Sequence, residues 1–370
     1  MAESPGTFIR EELDKRGWTQ TDLARIVDRP IQVISEIVQG KKSITPDTAN
    51  AIGAAFGTGA GIWLQREAEY RLAFSDVDTA AVSRRARLYD LAPIKEMEKR
   101  QWIQQTGDIE ALEGELMRFF GVESLETEPQ IVASMRRPGD ETEPLTASQR
   151  AWCFRVRQLG AALMAAEYKE DRMPQCEAEL RKVAAYPQEA HKVASVLASF
   201  GIRLVIVEPL TGCKVDGVAI WRDAGSPIIG LAARFDRIDN FWFTLGHELS
   251  HVRHRDTPHV DSDVAGQLML PVEMKSPVER RADDEAAQMF VPKQELDSFI
   301  LRVGPLYSKD KIIRFAHRIK MHPGVVVGQL QSRGEMGYAA NREMLAKIRH
   351  IVLPATVTDG WGYTIDPRRL

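Results

Sequence analysis

The chain has 370 residues and 44% hydrophobic content, enough to bury a large core and to divide into two or three domains. Lysine and arginine (49) nearly balance aspartate and glutamate (52), so the net charge of −3 excludes a general attraction to nucleic acid or anionic membrane, and any such contact must come from a local patch. Cys153, Cys176 and Cys213 are too far apart and too few for a disulfide framework or a cysteine zinc site; with an acidic N-terminus and no apolar run of roughly 18 residues, the expectation is a cytoplasmic protein without a membrane span.

From Thr7 to about Leu72 short amphipathic segments alternate with small turns: FIREELDKRG, TQTDLARIV, IQVISEIVQ, PDTANAIGAAF and GIWLQREAEYRL. They predict a compact helical domain over residues 1–75. Thr45 and Pro46 supply an N-cap and a first helical position, and Gly57 after Phe56 a C-terminal stop. Within this domain Leu23, Ala24 and Val27, a turn at Asp28 and Arg29, and then Ile34, Ile37 and Val38 have the spacing of a helix-turn-helix, with the small Ala24 where two helices cross. The second helix of such a motif enters the major groove with its N-terminal residues against base edges, while the first crosses the backbone. Gln32 and Ser35 then face bases, Gln20 meets a phosphate from the head of the first helix, and Arg29, Lys41 and Lys42 add positive charge. The plainer alternative is a helical bundle that serves only to dimerise.

The same stretch resembles the XRE, or lambda-repressor-like, DNA-binding family, and in particular its HigA-type antitoxins, through IREELDKRG, SEIVQGKKSITPDTA and GIWL. That resemblance implies a double-stranded DNA operator as partner. Pro30 and Ile31 depart from the pattern, standing at the head of the recognition helix where a more polar pair would offer direct base contacts.

Residues 76–200 read as a helical linking and dimerisation region, with ALEGELMRFFGV, AWCFRVRQLGAALMAAEY and HKVASVLASF separated by the polar, proline-bearing MRRPGDETEPLTASQ. Composition changes at Gly201. IRLVIVEPL, DGVAIW and PIIGLAA are β-branched runs between glycine, aspartate and proline, and predict three strands. Helices are then expected over 240–254, 278–292, KDKIIRFAHRIK and HPGVVVGQLQSRG, completing a domain over 201–340. The tail 341–370 is left unplaced, with Trp361 and Tyr363 as possible anchors to the body. The fold expected overall is α+β and mostly helical, its C-terminal domain joining a small sheet to an H-E-x-x-H helix.

The chemistry centres on FTLGHELSHVRHRD. Residues four apart share one face of a helix, so His247 and His251 can place imidazole nitrogens on one ion. Glu248 lies beside that position, where a carboxylate can take a proton from the attacking water and pass it to a leaving amine. A catalytic zinc needs a third protein ligand and one open position. In VERRADDEAAQMF, Glu279 and Asp283 are again four apart: the first can serve as ligand, the second can accept from the far nitrogen of a ligand histidine and fix its tautomer. Read alone, this second segment is a solvated charged face.

DNFWFTLGHELSHV and ERRADDEAAQMFVP are similar to the ImmA/IrrE family of metallopeptidases, over roughly Ile202 to Pro292. The resemblance implies a zincin-like fold, Zn2+ held by His247, His251 and Glu279, and the acid/base role for Glu248. Arg281 stands where a second glutamate is common and Glu285 where a phenylalanine usually packs. Among the other histidines, His254 is expected on the solvent side and His322, before Pro323, at a helix N-terminus; His259 and His317 carry no assignment. Tyr307 is an oxyanion-donor candidate by residue type alone.

Two functional readings follow. One is a DNA-binding transcriptional regulator with a zinc endopeptidase domain that cleaves a regulatory partner protein or another copy of itself. The other is a HigA-like antitoxin or transcription factor whose peptidase-like domain senses a ligand or binds a toxin partner without hydrolysis. Hydrolysis of a non-peptide bond ranks behind both. A homodimer is expected, since helix-turn-helix proteins read paired half-sites.

Overall fold

In a computed structural model, residues 3–131, 145–256, 260–262 and 276–362 are described. His259, Tyr363 and most of the polar loop after Ser134 lie outside these residues. The chain forms two compact units, 1–82 and 83–370.

The first unit contains the five expected helices, α1 Pro5–Arg16, α2 Gln20–Ile26, α3 Ile31–Val38, α4 Pro46–Phe56 and α5 Ala60–Ala73. Local chemistry sets their ends. Thr19 and Asp22 form a capping box at the head of α2, with Asp22 N donating to Thr19 Oγ1 at 3.2 Å and Thr19 N to Asp22 Oδ2 at 2.8 Å. Thr45 caps α4 ahead of Pro46, and Gly57 stops it at φ 71°, a left-handed conformation that costs glycine little. The apolar stripes of α1, α2 and α3 meet through Ile9, Leu13, Leu23, Ala24, Ile34 and Ile37.

The second unit is built on a five-stranded mixed sheet, in the order β4-β2-β3-β1-β5. Its strands are β1 Arg203–Ile206, β2 Val215–Trp221, β3 Pro227–Leu231, β4 Val260–Ser262 and β5 Val357–Thr358. β1 runs parallel to β3 and β5, while β2 runs antiparallel to β3 and β4. Alternation along the strands divides the core. Leu204, Ile206, Ala219, Ile229 and Leu231 pack towards α12 Ile238–His254, whereas Val205, Val207, Val218, Ile220 and Ile228 pack towards α9 Ala147–Ala161. Helices therefore cover both faces, which is why β1, β2 and β3 are buried throughout and read as continuous apolar runs. Trp152 pins α9 to the sheet by donating from Nε1 to Val207 O at 3.0 Å.

Of residues 76–200, expected as a linking and dimerisation region, 83–200 belong to the same compact unit as the sheet and 76–82 to the first unit. The start of the C-terminal tail is placed as well: β5 pairs Val357 with Val205 and Thr358 with Ile206, and Trp361 stacks beside Lys99 and Arg100. Among the described elements not anticipated from the sequence are β4, β5, a helix at Lys293–Val303 and a short helix at Arg349–Val352.

Candidate metal centre and nucleic-acid interface

α12 is buried over most of its length, so Thr244, His247, Glu248, Ser250 and His251 sit inside the core. Opposite it runs α13, Pro277–Phe290, capped by Ser276 Oγ, which accepts from Glu279 N at 3.1 Å. Gly246 lies where the two helices cross, and an added Cβ would come within 3.2 Å of Ala286 Cα. This close crossing brings the first turn of α13, with Glu279, over His247 and His251.

The two histidine Nε2 atoms are 3.0 Å apart, and the Glu279 carboxylate lies 3.2 Å from His247 Nε2 and 3.5 Å from His251 Nε2. All three side chains are buried, and their donor atoms fall within 4.8 Å of one another. Each ring turns its other nitrogen to a carboxylate: His247 Nδ1 to Asp283 Oδ1 at 3.0 Å, and His251 Nδ1 to Asp256 Oδ2 at 2.9 Å. Arg281 also donates to Asp256 Oδ2. Burial alone would raise the Asp256 pKa, but the hydrogen bonds from His251 and Arg281 prevail and hold it below the usual carboxylate range. An ionised Asp256 fixes the proton of His251 on Nδ1, and Asp283 acts likewise on His247.

Both Nε2 atoms then present lone pairs to the same small space, next to a carboxylate. Such a convergence of acceptors is favourable only around a positive charge. Two imidazoles bound tetrahedrally to one zinc at about 2.05 Å would have nitrogens about 3.3 Å apart, close to the observed spacing. The residues present fit a divalent cation of the zinc type.

Glu248 is completely buried. Its carboxylate lies against β2 at Gly217, where a Cβ would collide with Oε1 and approach Cδ to 2.9 Å. The register of β2 against β4 shifts between Val215 and Gly217, an irregularity of the kind often found beside sites. An apolar cavity of about 200 Å³ lies between α12, α13 and the helix Pro323–Ser332, bounded by Phe235, Phe243, Phe290, Val325 and Tyr338. Phe243 joins it to the histidines, its ring centroid 6.3 Å from that of His247.

The sequence reading did not identify Asp256 or Gly217. Asp256 follows a left-handed residue, Arg255 at φ 51°, outside the helical spacing that picked out its neighbours. The two departures on α13 both have partners. Arg281 holds Asp256, and Glu285 accepts from Ser250 Oγ at 2.7 Å and lies 2.8 Å from His254 Nε2, tying the two helices together. His322 caps the helix Pro323–Ser332, its Nδ1 accepting from Gly324 N at 3.0 Å. Tyr307 is not available as an oxyanion donor in this arrangement: its ring packs on Phe299 and its hydroxyl donates to Glu335 Oε2 at 2.5 Å.

In the first unit, α3 presents Gln32 on its exposed face and Ser35 partly so, while Arg29, Lys41 and Lys42 are exposed and Gln20 opens α2. Both α3 side chains are hydrogen-bonded along the helix. Gln32 Nε2 donates to Glu36 Oε1 at 3.3 Å, and Gln39 Nε2 to Ser35 Oγ at 3.0 Å.

Residues 9–63 match the family model described as Helix-turn-helix, so the N-terminal unit carries a helix-turn-helix domain of the XRE type. Among solved structures the chain is similar to one from Nostoc punctiforme described as a "putative antidote protein of plasmid maintenance system", at 32% identity, covering 20% of this chain and 79% of that chain with a TM-score of 0.19. The comparison with curated proteins found no match. None of the described helices is long and apolar enough to cross a membrane.

Proposed function

We propose that the protein is a DNA-binding transcriptional regulator whose second unit is a zinc-dependent endopeptidase, acting on a regulatory partner protein or on another copy of the chain. The observation that carries this reading is the pair of Nε2 atoms converging with Glu279 while both Nδ1 atoms rest on carboxylates. His247, His251 and Glu279 would hold the ion, and Asp283 and Asp256 would orient the two imidazoles. Zinc bound there supplies an acidified water and a Lewis acid for a carbonyl oxygen.

Glu248 is the residue of this chain suited to move the proton. As water adds across the amide, the carbonyl carbon gains OH, the C–N bond breaks, and the Glu248 carboxylate carries the water's proton to the leaving nitrogen. Gly217 leaves room for that carboxylate. The cavity beside Phe243 would take an apolar side chain of the cleaved segment. Incubating the full chain with candidate partners, with and without chelator, tests the reading: cleavage should stop with chelator and with Glu248→Gln, and cleavage that persists in Glu248→Gln would remove the proposed role.

A second reading draws on burial, since Glu248 is 0% and His247 and His251 are each 1% exposed. A centre so enclosed suits a metal kept for folding or sensing in a non-catalytic regulator. Under that reading metal binding persists, and no partner is cut.

A further inference from the structure

We infer that Ile31 reads the 5-methyl group of a thymine, so that each half-site of the operator carries a fixed T at the place met by the head of α3. The inference rests on the first unit acting as a DNA-binding helix-turn-helix. In such a module the N-terminal residues of the second helix meet base edges in the major groove.

α3 begins at Ile31, directly after Pro30 as its N-cap. The inward face of the helix is Ile34, Ile37 and Val38, none more than 2% exposed, while Ile31 is 46% exposed. Helical side chains lean towards the N-terminus, so Ile31 projects ahead of the helix, towards what the helix approaches. The side chains of Pro30 and Ile31 are aprotic. Pro30 has no N–H and no side-chain cap bond, and isoleucine offers only methyl and methylene groups.

Neither side chain can bond a phosphate or the donors and acceptors of guanine, cytosine or adenine. The one apolar group displayed in the major groove is the thymine methyl. Gln32 and Ser35, bonded along the helix to Glu36 and Gln39, are the polar neighbours, and Ile31 is the apolar side chain exposed at the helix head.

The test is selection of bound duplexes from a random DNA library by the full chain, followed by replacement of the fixed thymine with uracil, which removes only the methyl. The expected result is an invariant T in each half-site and a loss of roughly 4-fold in affinity on replacement, about the worth of one buried methyl. Ile31→Ala should bind the T and U duplexes equally. Ile31→Gln should shift the selected base at that position from T towards A. A motif without an invariant T, a harmless uracil replacement, or an Ile31→Ala protein that still prefers T would each overturn the inference. Failure of the wild-type chain to select any duplex would instead overturn the DNA-binding reading on which it rests.

Discussion

α3 and α12 both carry side chains with proposed functional roles, but in opposite surroundings. Gln32 and Ser35 sit on the outer side of α3, whose inner face is apolar, and Lys41 and Lys42 lie exposed beyond its end, so the core of the first unit is built without them. His247, Glu248 and His251 of α12 are inside the core, beside groups from elsewhere: Asp256 beyond its end, Glu279 and Asp283 on α13, Gly217 on β2. An outward-facing site can change chemistry without disturbing the domain. A buried one ties chemistry to stability, since removal of one partner strands another.

That contrast can be broken by mutation. His247→Ala takes away the ring that Glu279 faces at Nε2 and Asp283 at Nδ1, and is expected to destabilise the second unit by about 3–5 kcal/mol while the first unit keeps its hydrogen-exchange protection. Equal loss of protection in both units would mean that the units do not fold separately. Asp256→Asn keeps the shape but releases the His251 tautomer, and should weaken zinc binding about 10–100-fold in a chelator competition. Unchanged affinity would remove Asp256 from the centre.

Gly217→Ala forces the Glu248 carboxylate aside, at an expected cost of about 1–3 kcal/mol in denaturant unfolding, with metal content retained. A smaller effect comes from His322. Burial lowers its pKa from 6.5, and the neutral ring is the form that accepts from Gly324 N. Its contribution is complete above pH 6.5 and is lost as pH falls through the depressed value. His322→Asn should remove that step from a pH series of unfolding midpoints. Smallest of all, Lys41→Ala with Lys42→Ala should shift stability by no more than about 0.5 kcal/mol, yet flatten the salt dependence of DNA binding.

The difference between the two regions also explains what could be read from the sequence. The helices of the first unit were legible because apolar spacing, Thr45-Pro46 and Gly57 are all local signals. His247, His251, Glu279 and Asp283 were legible as pairs four apart on two helices, although only the close crossing at Gly246 shows that the pairs meet. Asp256 was not, because it lies past a helix end and acts through a turn that no periodicity marks. Gly217 was not, because its role depends on the strand that lies beneath Glu248. β5 escaped for a similar reason: two residues carry too little pattern, and their pairing with β1 bridges a separation of about 150 residues in the chain. Arg281 and Glu285 looked like departures when set against a family pattern, and their partners, Asp256 and Ser250, explain them.

The most direct test of the central claim is the metal content of the full chain purified without chelator, measured by elemental analysis beside His247→Ala and Glu279→Ala. About one zinc per chain in the native protein, lost in both variants, is the predicted result. A native protein that holds no metal even after zinc is supplied would contradict it.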